Sequence, residues 1–226
     1  MANNNVKKGA PQTEEQPISA TEAFFVKYKK AIIAAVVAVI VIIVGIVLYN
    51  SHVKVPREIK ASTALSKGQV LYSAQLYDLA LNGDSLSYGG FLGVIKEYGN
   101  TEAGNLANLY AGLCYAQLEQ WDNAVKYLEE YDTKGDKMIS PAAEGALGNA
   151  YAHLNQLDKA VSHLKSAAQK ADNNSLSPIF LIQAGEILES QGDKTGALSL
   201  YEEIKAKYYN SLQYQTIDKY IERVKE

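Results

Sequence analysis

The stretch GLCYAQLEQWDNAVKYL, residues 112–128, decides the fold, because its spacing returns twice further along the chain. A glycine is followed twelve positions later by an alanine, and four positions after that by a large apolar residue. The copies are shifted by 36 and 37 residues, and they consist of Gly112, Ala124 and Leu128, then Gly148, Ala160 and Leu164, then Gly185, Ala197 and Tyr201. A helical pattern repeated at this period predicts helical hairpins that stack on one another.

This pattern resembles the tetratricopeptide repeat, a two-helix unit with small residues where its helices cross. The resemblance implies an all-α, right-handed solenoid of stacked hairpins. We expect each glycine to face the alanine of the same hairpin, which lets the two helices approach closely. Ser140-Pro141 and Ser177-Pro178 occupy the same repeat position and predict a hydroxyl cap at the start of a helix. The repeats depart from the family pattern at its tryptophan position, which holds Asn108, Glu144 and Leu181.

The repeat spacing also predicts the domain boundaries. Three tetratricopeptide units are expected at residues 105–140, 141–177 and 178–210. Residues 51–104 are interpreted as a linker and a degenerate N-terminal hairpin, with one helix running from Arg57 to a stop at Asn82 and with Tyr88 at the small-residue position. Residues 211–226 predict a C-terminal capping helix, because Ile217, Tyr220, Ile221 and Val224 share one helical face.

A separate apolar segment precedes the repeats. Residues 31–48, AIIAAVVAVIVIIVGIVL, contain no charged or hydrogen-bonding side chain. As a helix they would extend about 27 Å, close to the roughly 30 Å hydrocarbon core of a bilayer. We therefore predict a single transmembrane anchor over residues 27–50, in contact with lipid through residues 31–48, and a disordered cytoplasmic tail over residues 1–26. A cleaved signal peptide would have a shorter apolar region followed by a small-x-small site, which the sequence lacks.

The charges beside this segment indicate its orientation only weakly. Three lysines precede it, and four basic residues follow it at Lys54, Arg57, Lys60 and Lys67. The N-terminal lysines lie closer to the apolar run, so we predict a cytoplasmic N-terminus and a periplasmic repeat domain.

Composition and motifs exclude several classes of function. With 22 basic and 25 acidic residues the net charge is −3, and no long basic block is present, so nucleic acid is not an expected partner. The single Cys114 cannot form an intrachain disulfide and is expected to pack inside the fold. His153 and His163 fall on different helices of one unit, which disfavours a metal site. Without a phosphate-binding loop or a zinc-protease motif, neither a cofactor nor enzyme activity is expected.

The tetratricopeptide resemblance implies that the first helix of each unit lines a concave groove that binds other proteins. The groove residues that it implies are Leu106, Leu109, Leu113, Gln117, Asn149, His153, Ile179, Ile182 and Glu186, with Ala116, Ala142, Gly145, Ala152, Glu189 and Ser190 beside them. None of these is lysine or arginine, which sets aside the basic clamp that some tetratricopeptide co-chaperones use for acidic C-terminal peptides. The alternative that the apolar members pack against neighbouring helices stays open at this stage.

The order of anchor and repeats is similar to that of the ancillary subunit of the bacterial Sec translocon. That resemblance implies a non-catalytic scaffold at the periplasmic face of the inner membrane, with the translocation channel, chaperones or emerging polypeptides as partners. Two alternatives share the architecture: an assembly adaptor for peptidoglycan or the outer membrane, and an import receptor whose repeats face the cytosol.

Overall fold

The computed structural model describes residues 20–84 and 87–225, and the chain divides into an N-terminal segment, Met1–Val53, and a repeat domain, Lys54–Glu226. In the N-terminal segment, helix α1 spans Ala20–Tyr49 and is followed by a π-helical turn at Asn50–Lys54. The large apolar side chains of α1 are exposed, except for the half-buried Ile32. The helix is long and apolar enough to cross a membrane, although a signal sequence has the same properties.

The start of α1 corrects one prediction. Disorder was expected up to residue 26, but the helix begins at Ala20. No proline or glycine lies between Ala20 and the apolar run, so nothing in the local sequence stops the helix from extending backwards. The rest of the predicted tail, residues 1–19, lies outside the described residues.

The repeat domain confirms the predicted all-α class, since its described residues form helices joined by short turns and loops. The α-helices are α2 (Val55–Ser73), α3 (Tyr77–Asn82), α4 (Gly90–Tyr98), α5 (Glu102–Gln117), α6 (Trp121–Glu129), α7 (Ile139–His153), α8 (Leu157–Ala171), α9 (Ser177–Ser190), α10 (Lys194–Lys207) and α11 (Ile217–Lys225), and a short 3-10 turn, Gln213–Gln215, precedes α11. The single helix predicted from Arg57 to Asn82 is therefore two helices, α2 and α3.

The same turn closes four hairpins among the described residues: α2–α3, α5–α6, α7–α8 and α9–α10. In each turn one residue has a positive φ, namely Gln75 (61°), Glu119 (58°), Asn155 (57°) and Gly192 (81°). The amide after this residue donates to a carbonyl in the last turn of the preceding helix, as from Gln120 to Tyr115 and from Gln156 to Tyr151. This left-handed arrangement is a Schellman-type helix end, which satisfies carbonyls that the helix leaves free.

The shared turn shows that the α2–α3 hairpin, the first along the chain, is also a repeat. The sequence analysis did not identify it as one. Gly68 lies seven residues before Gln75, and Ala80 lies five residues after it, as the glycine and alanine do in the other hairpins. Ala80 is fully buried, so it occupies the small-residue position that was assigned to Tyr88. The period is longer here because the chain leaves the helix at Gly83, where φ is 83°, and helix α4 begins only at Gly90.

The atoms nearest to each glycine belong to large side chains, and at Gly148 the carbonyl oxygen of the paired Ala160 is also close, 3.2 Å from an added Cβ. A Cβ added at Gly112, Gly148 or Gly185 would lie 2.6, 2.9 and 2.4 Å from an atom of Leu128, Leu164 and Tyr201 respectively. At Gly68 the corresponding space holds Tyr88 and Phe91, whose nearest atoms would be 2.1 and 2.5 Å away. Each glycine therefore admits a bulky group from the segment packed against it.

The hairpins bury a continuous series of apolar side chains, and α11 covers the last of them. Ile217, Ile221 and Val224 of α11 are buried against the core of the α9–α10 hairpin, which includes Leu200 and Ile204. This is the predicted capping helix, and it keeps the apolar face of the last hairpin out of water.

The two serines expected to cap helices act differently. Ser140 and Ser177 lie inside the first turns of α7 and α9, and both are buried. The Ser140 hydroxyl donates to Asp136 and accepts from the amide of Lys134, and the Ser177 hydroxyl donates to the carbonyl of Ala168. They tie each helix to the segment before it.

Asp136 supplies the cap at the start of α7 instead. Its carboxylate accepts hydrogen bonds from the Ser140 hydroxyl and from the amides of Met138, Ile139 and Ser140. These bonds favour the ionised form and lower the pKa of Asp136 to about 2.

Candidate protein-binding surface

The predicted groove residues fall into three groups by exposure. Leu109 is buried, and Leu106, Leu113, Asn149 and Ile182 are half-buried. The exposed ones are Gln117, His153, Ile179 and Glu186. These four lie on α5, α7 and α9, the first helices of three consecutive hairpins, and among them Gln117 and His153 occupy the same repeat position.

The buried and half-buried leucines correct the prediction of an open, mostly apolar groove. Leu109 is only 7% exposed and belongs to the core shared by α5, α6 and α7, so it is not a groove residue. Leu106 and Leu113 pack against the same core, and Ile182 packs against the core of the last hairpin. The alternative of packing between hairpins therefore holds for these side chains, and the accessible surface is more polar than expected.

His153 contributes an aromatic contact between hairpins. Its ring stacks on the indole of Trp121, with centroids 3.7 Å apart and an interplanar angle of 1°. Trp121 starts α6 and His153 ends α7, so the pair joins the second and third hairpins at the surface.

His163 on α8 lies in a different environment and is half-buried. Its Nδ1 lies 2.8 Å from a carboxylate oxygen of Glu144, and its ring stacks on Tyr151 with centroids 5.3 Å apart. The two histidines are not brought together. Across the described residues no group of three His, Cys, Asp or Glu side chains has the arrangement of a metal site.

The acidic residues at the end of α9 differ in their partners. Glu189 accepts two hydrogen bonds from the Arg223 guanidinium, at 2.8 and 2.7 Å, and one from the Tyr201 hydroxyl. Burial alone would raise the pKa of the Glu189 carboxyl, but these donors together lower it. Glu186, one turn earlier, is exposed and forms no ion pair with any described residue. The end of α9 therefore carries one compensated negative charge, at Glu189, and one uncompensated negative charge, at Glu186.

The first hairpin extends this surface with residues that the sequence analysis missed. Gln69, Tyr72 and Ser73 stand in the same relation to Gly68 as Leu113, Ala116 and Gln117 do to Gly112. The Tyr72 ring lies edge-on to Tyr77 and to Tyr110, with centroids 5.4 Å apart in both pairs. The signal was present in the twelve-residue spacing from Gly68 to Ala80.

Cys114 has the structural environment that the sequence predicted. It is fully buried on α5, and burial raises the pKa of its thiol to about 12. At neutral pH the side chain is therefore a protonated, apolar packing group rather than a nucleophile.

Comparison with known families places this domain. Residues 84–216 match the family model described as T7SS, ESX-1 secretion system protein EccA1, N-terminal domain, a span that covers more than half of the 226 residues. The chain belongs to this family. The EccA1 N-terminal domain match begins in the interruption after α3 and ends just before α11, so it contains the three regular hairpins.

Two solved structures show the same fold as this EccA1 N-terminal domain family member. The MamA protein is 15% identical, with a TM-score of 0.52 over 73% of this chain and 89% of MamA. A Podosopora anserina putative kinesin light chain with nearly identical TPR-like repeats is 14% identical, with a TM-score of 0.57 over 76% of this chain and 87% of that one. These similarities confirm the tetratricopeptide-like fold. No curated protein matches the chain.

Proposed function

We propose that the protein is a non-catalytic, membrane-anchored scaffold that binds other proteins on the first helices of its stacked hairpins. The observation that carries the proposal is the row of exposed side chains five residues after the repeat glycine in four successive hairpins, formed by Ser73, Gln117, His153 and Ser190. A solenoid offers such a row as one extended surface, and a partner segment can contact several repeats at once. The exposed apolar helix α1 supplies the anchor.

The finer proposal concerns location and partners. With its N-terminus in the cytoplasm, the protein would hold the repeats at the periplasmic face of the inner membrane, beside translocation machinery, periplasmic chaperones or emerging polypeptides. Tethering raises the effective concentration of the surface toward membrane partners. The printed name of the matching family refers to a secretion system, which supports a role near protein export.

Two alternative functions keep the scaffold role but differ in the partners or in the membrane topology. An envelope-assembly adaptor has the same topology with different partners. A cytosol-facing import receptor has the opposite topology, and Lys54, Arg57, Lys60 and Lys67 on the C-terminal side of the apolar run favour it.

Crosslinking in cells tests the surface and its partners. A photoreactive amino acid is placed at the exposed Gln117 or at Asn149, and at the exposed Lys165 on α8, a second helix, as a matched control. We expect crosslinks to translocation or chaperone components from positions 117 and 149 but not from 165. Crosslinks to envelope-assembly proteins alone would contradict the export role, and equal crosslinking from all three sites would contradict the binding surface.

Cysteine labelling tests the topology. Because Cys114 is buried, a cysteine introduced at the exposed Gln156 is the reactive thiol of the repeat domain. An impermeant maleimide should label it in cells with a permeabilised outer membrane. Labelling only after complete lysis would reverse the proposed orientation.

A further inference from the structure

The first helices of the hairpins all begin at one edge of the repeat domain, which we call the loop edge. Glu58 in the first turn of α2 accepts hydrogen bonds from the amides of Glu102 and Ala103 at the start of α5, at 2.9 and 2.8 Å. Asn105 of α5 exchanges two hydrogen bonds with the backbone of Asp132, in the loop before α7. The side chain of Asn173, before α9, donates to the carbonyl of Lys137. The loop edge thus runs without a break from α2 to α9.

The opposite edge contains the four hairpin turns, and we call it the turn edge. The Trp121–His153 stack and a 3.0 Å hydrogen bond from Gln191 to Asp158 connect neighbouring hairpins there. Val70 in the last turn of α2 and Leu76 in the first turn are 68% and 50% exposed, and the other large side chains exposed in the four turns are polar. They include Glu119, Gln120, Asn155, Gln156, Asp193 and Lys194.

The loop edge exposes large apolar side chains instead. Leu212 is 80% exposed and Tyr209 is 63% exposed in the segment before α11, and Met138 is 57% exposed at the start of α7. The remaining members of the set are Val55, Ile59, Ile139, Ile179 and Tyr214. Exposed apolar groups concentrated along one edge indicate a surface that something else covers.

The topology shows which edge the apolar segment of the chain joins. Helix α2 is a first helix, so its N-terminus at Val55 belongs to the loop edge. Only residues 49–54 separate Val55 from the apolar run that ends at Leu48. In an anchored protein the loop edge is therefore the edge held within a few residues of lipid.

We propose that the loop edge rests on the bilayer surface, with Met138, Ile139 and Leu212 in the interfacial region and Tyr209 and Tyr214 at the headgroup level. Aliphatic side chains combined with tyrosines are the composition that the membrane interface favours. Lys137, which forms no ion pair with described residues, adds attraction to phosphate groups. The arrangement leaves the turn edge and the first-helix surface open to partners. This inference rests on the proposed membrane anchoring.

Depth-dependent fluorescence quenching tests the inference on the full chain in phosphatidylcholine vesicles that carry a nitroxide on the acyl chains. A maleimide fluorophore is attached to Met138→Cys or Leu212→Cys at the loop edge, and to Gln120→Cys or Gln156→Cys at the turn edge. Each position is exposed, so folding should be retained, and the unmodified chain with its buried Cys114 is the labelling blank. The labels at 138 and 212 should lose most of their fluorescence, whereas those at 120 and 156 should keep theirs.

A label at Val37→Cys separates the two ways in which the experiment can fail. If this label in α1 is not quenched, the anchor itself is wrong. If it is quenched while the labels at 138 and 212 are not, the anchor stands and the bilayer contact is overturned. Labels at 138 and 212 that become shielded only when native membrane proteins are present would likewise overturn lipid contact, in favour of a protein partner.

Discussion

The first and fourth hairpins contain the same glycine–alanine pair, but the side chain that packs over the glycine comes from different places. In the fourth hairpin it is Tyr201, four residues after the alanine on the same helix. In the first hairpin that helix stops at Asn82, and Tyr88 and Phe91 from beyond the interruption occupy the space over Gly68. The small residues thus set the helix crossing, whereas the bulky group that completes it is free to come from another segment.

Truncating the bulky side chain that packs over the glycine should have the largest effect on the free energy of unfolding. Tyr201→Ala should lower the free energy of unfolding by about 3–5 kcal/mol, because the ring is fully buried and its loss leaves a cavity. Tyr88→Ala should cost less, because Phe91 still covers Gly68. Urea denaturation of the full chain in detergent, followed by circular dichroism, measures both.

Tyr201→Phe is the matched control for the ring. It removes only the hydroxyl that donates to Glu189, so the expected loss is about 1 kcal/mol. If Tyr88→Ala lowered the free energy of unfolding as much as Tyr201→Ala, the two tyrosines would contribute equally. The proposed difference between the two hairpins would then be wrong.

Adding a methyl group to the glycines tests whether the first hairpin is a true repeat. Gly68→Ala and Gly185→Ala should each destabilise the fold by about 1–3 kcal/mol, since the added Cβ would lie within 2.5 Å of an aromatic side chain in both. Gly93→Ala on α4 is the control, because nothing lies within 4 Å of its Cβ position. Helix propensity should make that change neutral or stabilising by up to about 1 kcal/mol. If Gly68→Ala were tolerated, the interpretation of the α2–α3 hairpin as a repeat would be wrong.

The two ends of the repeat domain are held by different arginine interactions, and replacing either arginine should have a smaller effect on stability. At the C-terminal end Arg223 binds the carboxylate of Glu189, whereas near the N-terminal end Arg57 donates to the neutral oxygens of Asn100 and the Glu97 backbone. Arg223→Gln should cost about 0.5–1 kcal/mol, a modest value because the arginine is half-exposed. High salt should reduce this cost by screening the ion pair, and the cost of Arg57→Gln should change less.

The same ion pair predicts a pH dependence. The pKa of Glu189 is lowered in the folded state, so its stabilising contribution is complete above the pKa of the unfolded chain, about 4.3 for a glutamate. It is lost as the pH falls through the lower folded-state pKa. The stability difference between the original chain and Arg223→Gln should therefore shrink in acid. A difference that grows below pH ~4 would contradict this assignment.

The sequence predicted the regular hairpins well and the first one poorly, for a physical reason. Gly112, Gly148 and Gly185 recur at nearly constant intervals because their second helices are uninterrupted. At Gly83 the chain leaves the helix, so the interval from Gly68 to Gly112 is longer than the intervals between the other repeat glycines. A single repeat period therefore does not match the first hairpin. Counting from Gly68 to Ala80 alone would have found it.

The binding surface was harder to predict than the fold. Helical position places Leu109 and Gln117 alike on the first helix, but only the packing of the next hairpin determines that Leu109 is buried and Gln117 exposed. The serines show the same limit, since a hydroxyl before proline is compatible with a cap and with the inward bonds that Ser140 and Ser177 form. Local pattern identifies candidate residues, and tertiary contact assigns their roles.

The four hairpin turns show that different residue types can occupy the position with a positive φ. Glutamine, glutamate, asparagine and glycine each adopt the same left-handed backbone at Gln75, Glu119, Asn155 and Gly192. Three of them do so despite a Cβ that disfavours it, which means that interlocking of the helices on either side holds each corner in place. These corners are accordingly natural points at which laboratory evolution can vary the chemistry without altering the path of the backbone.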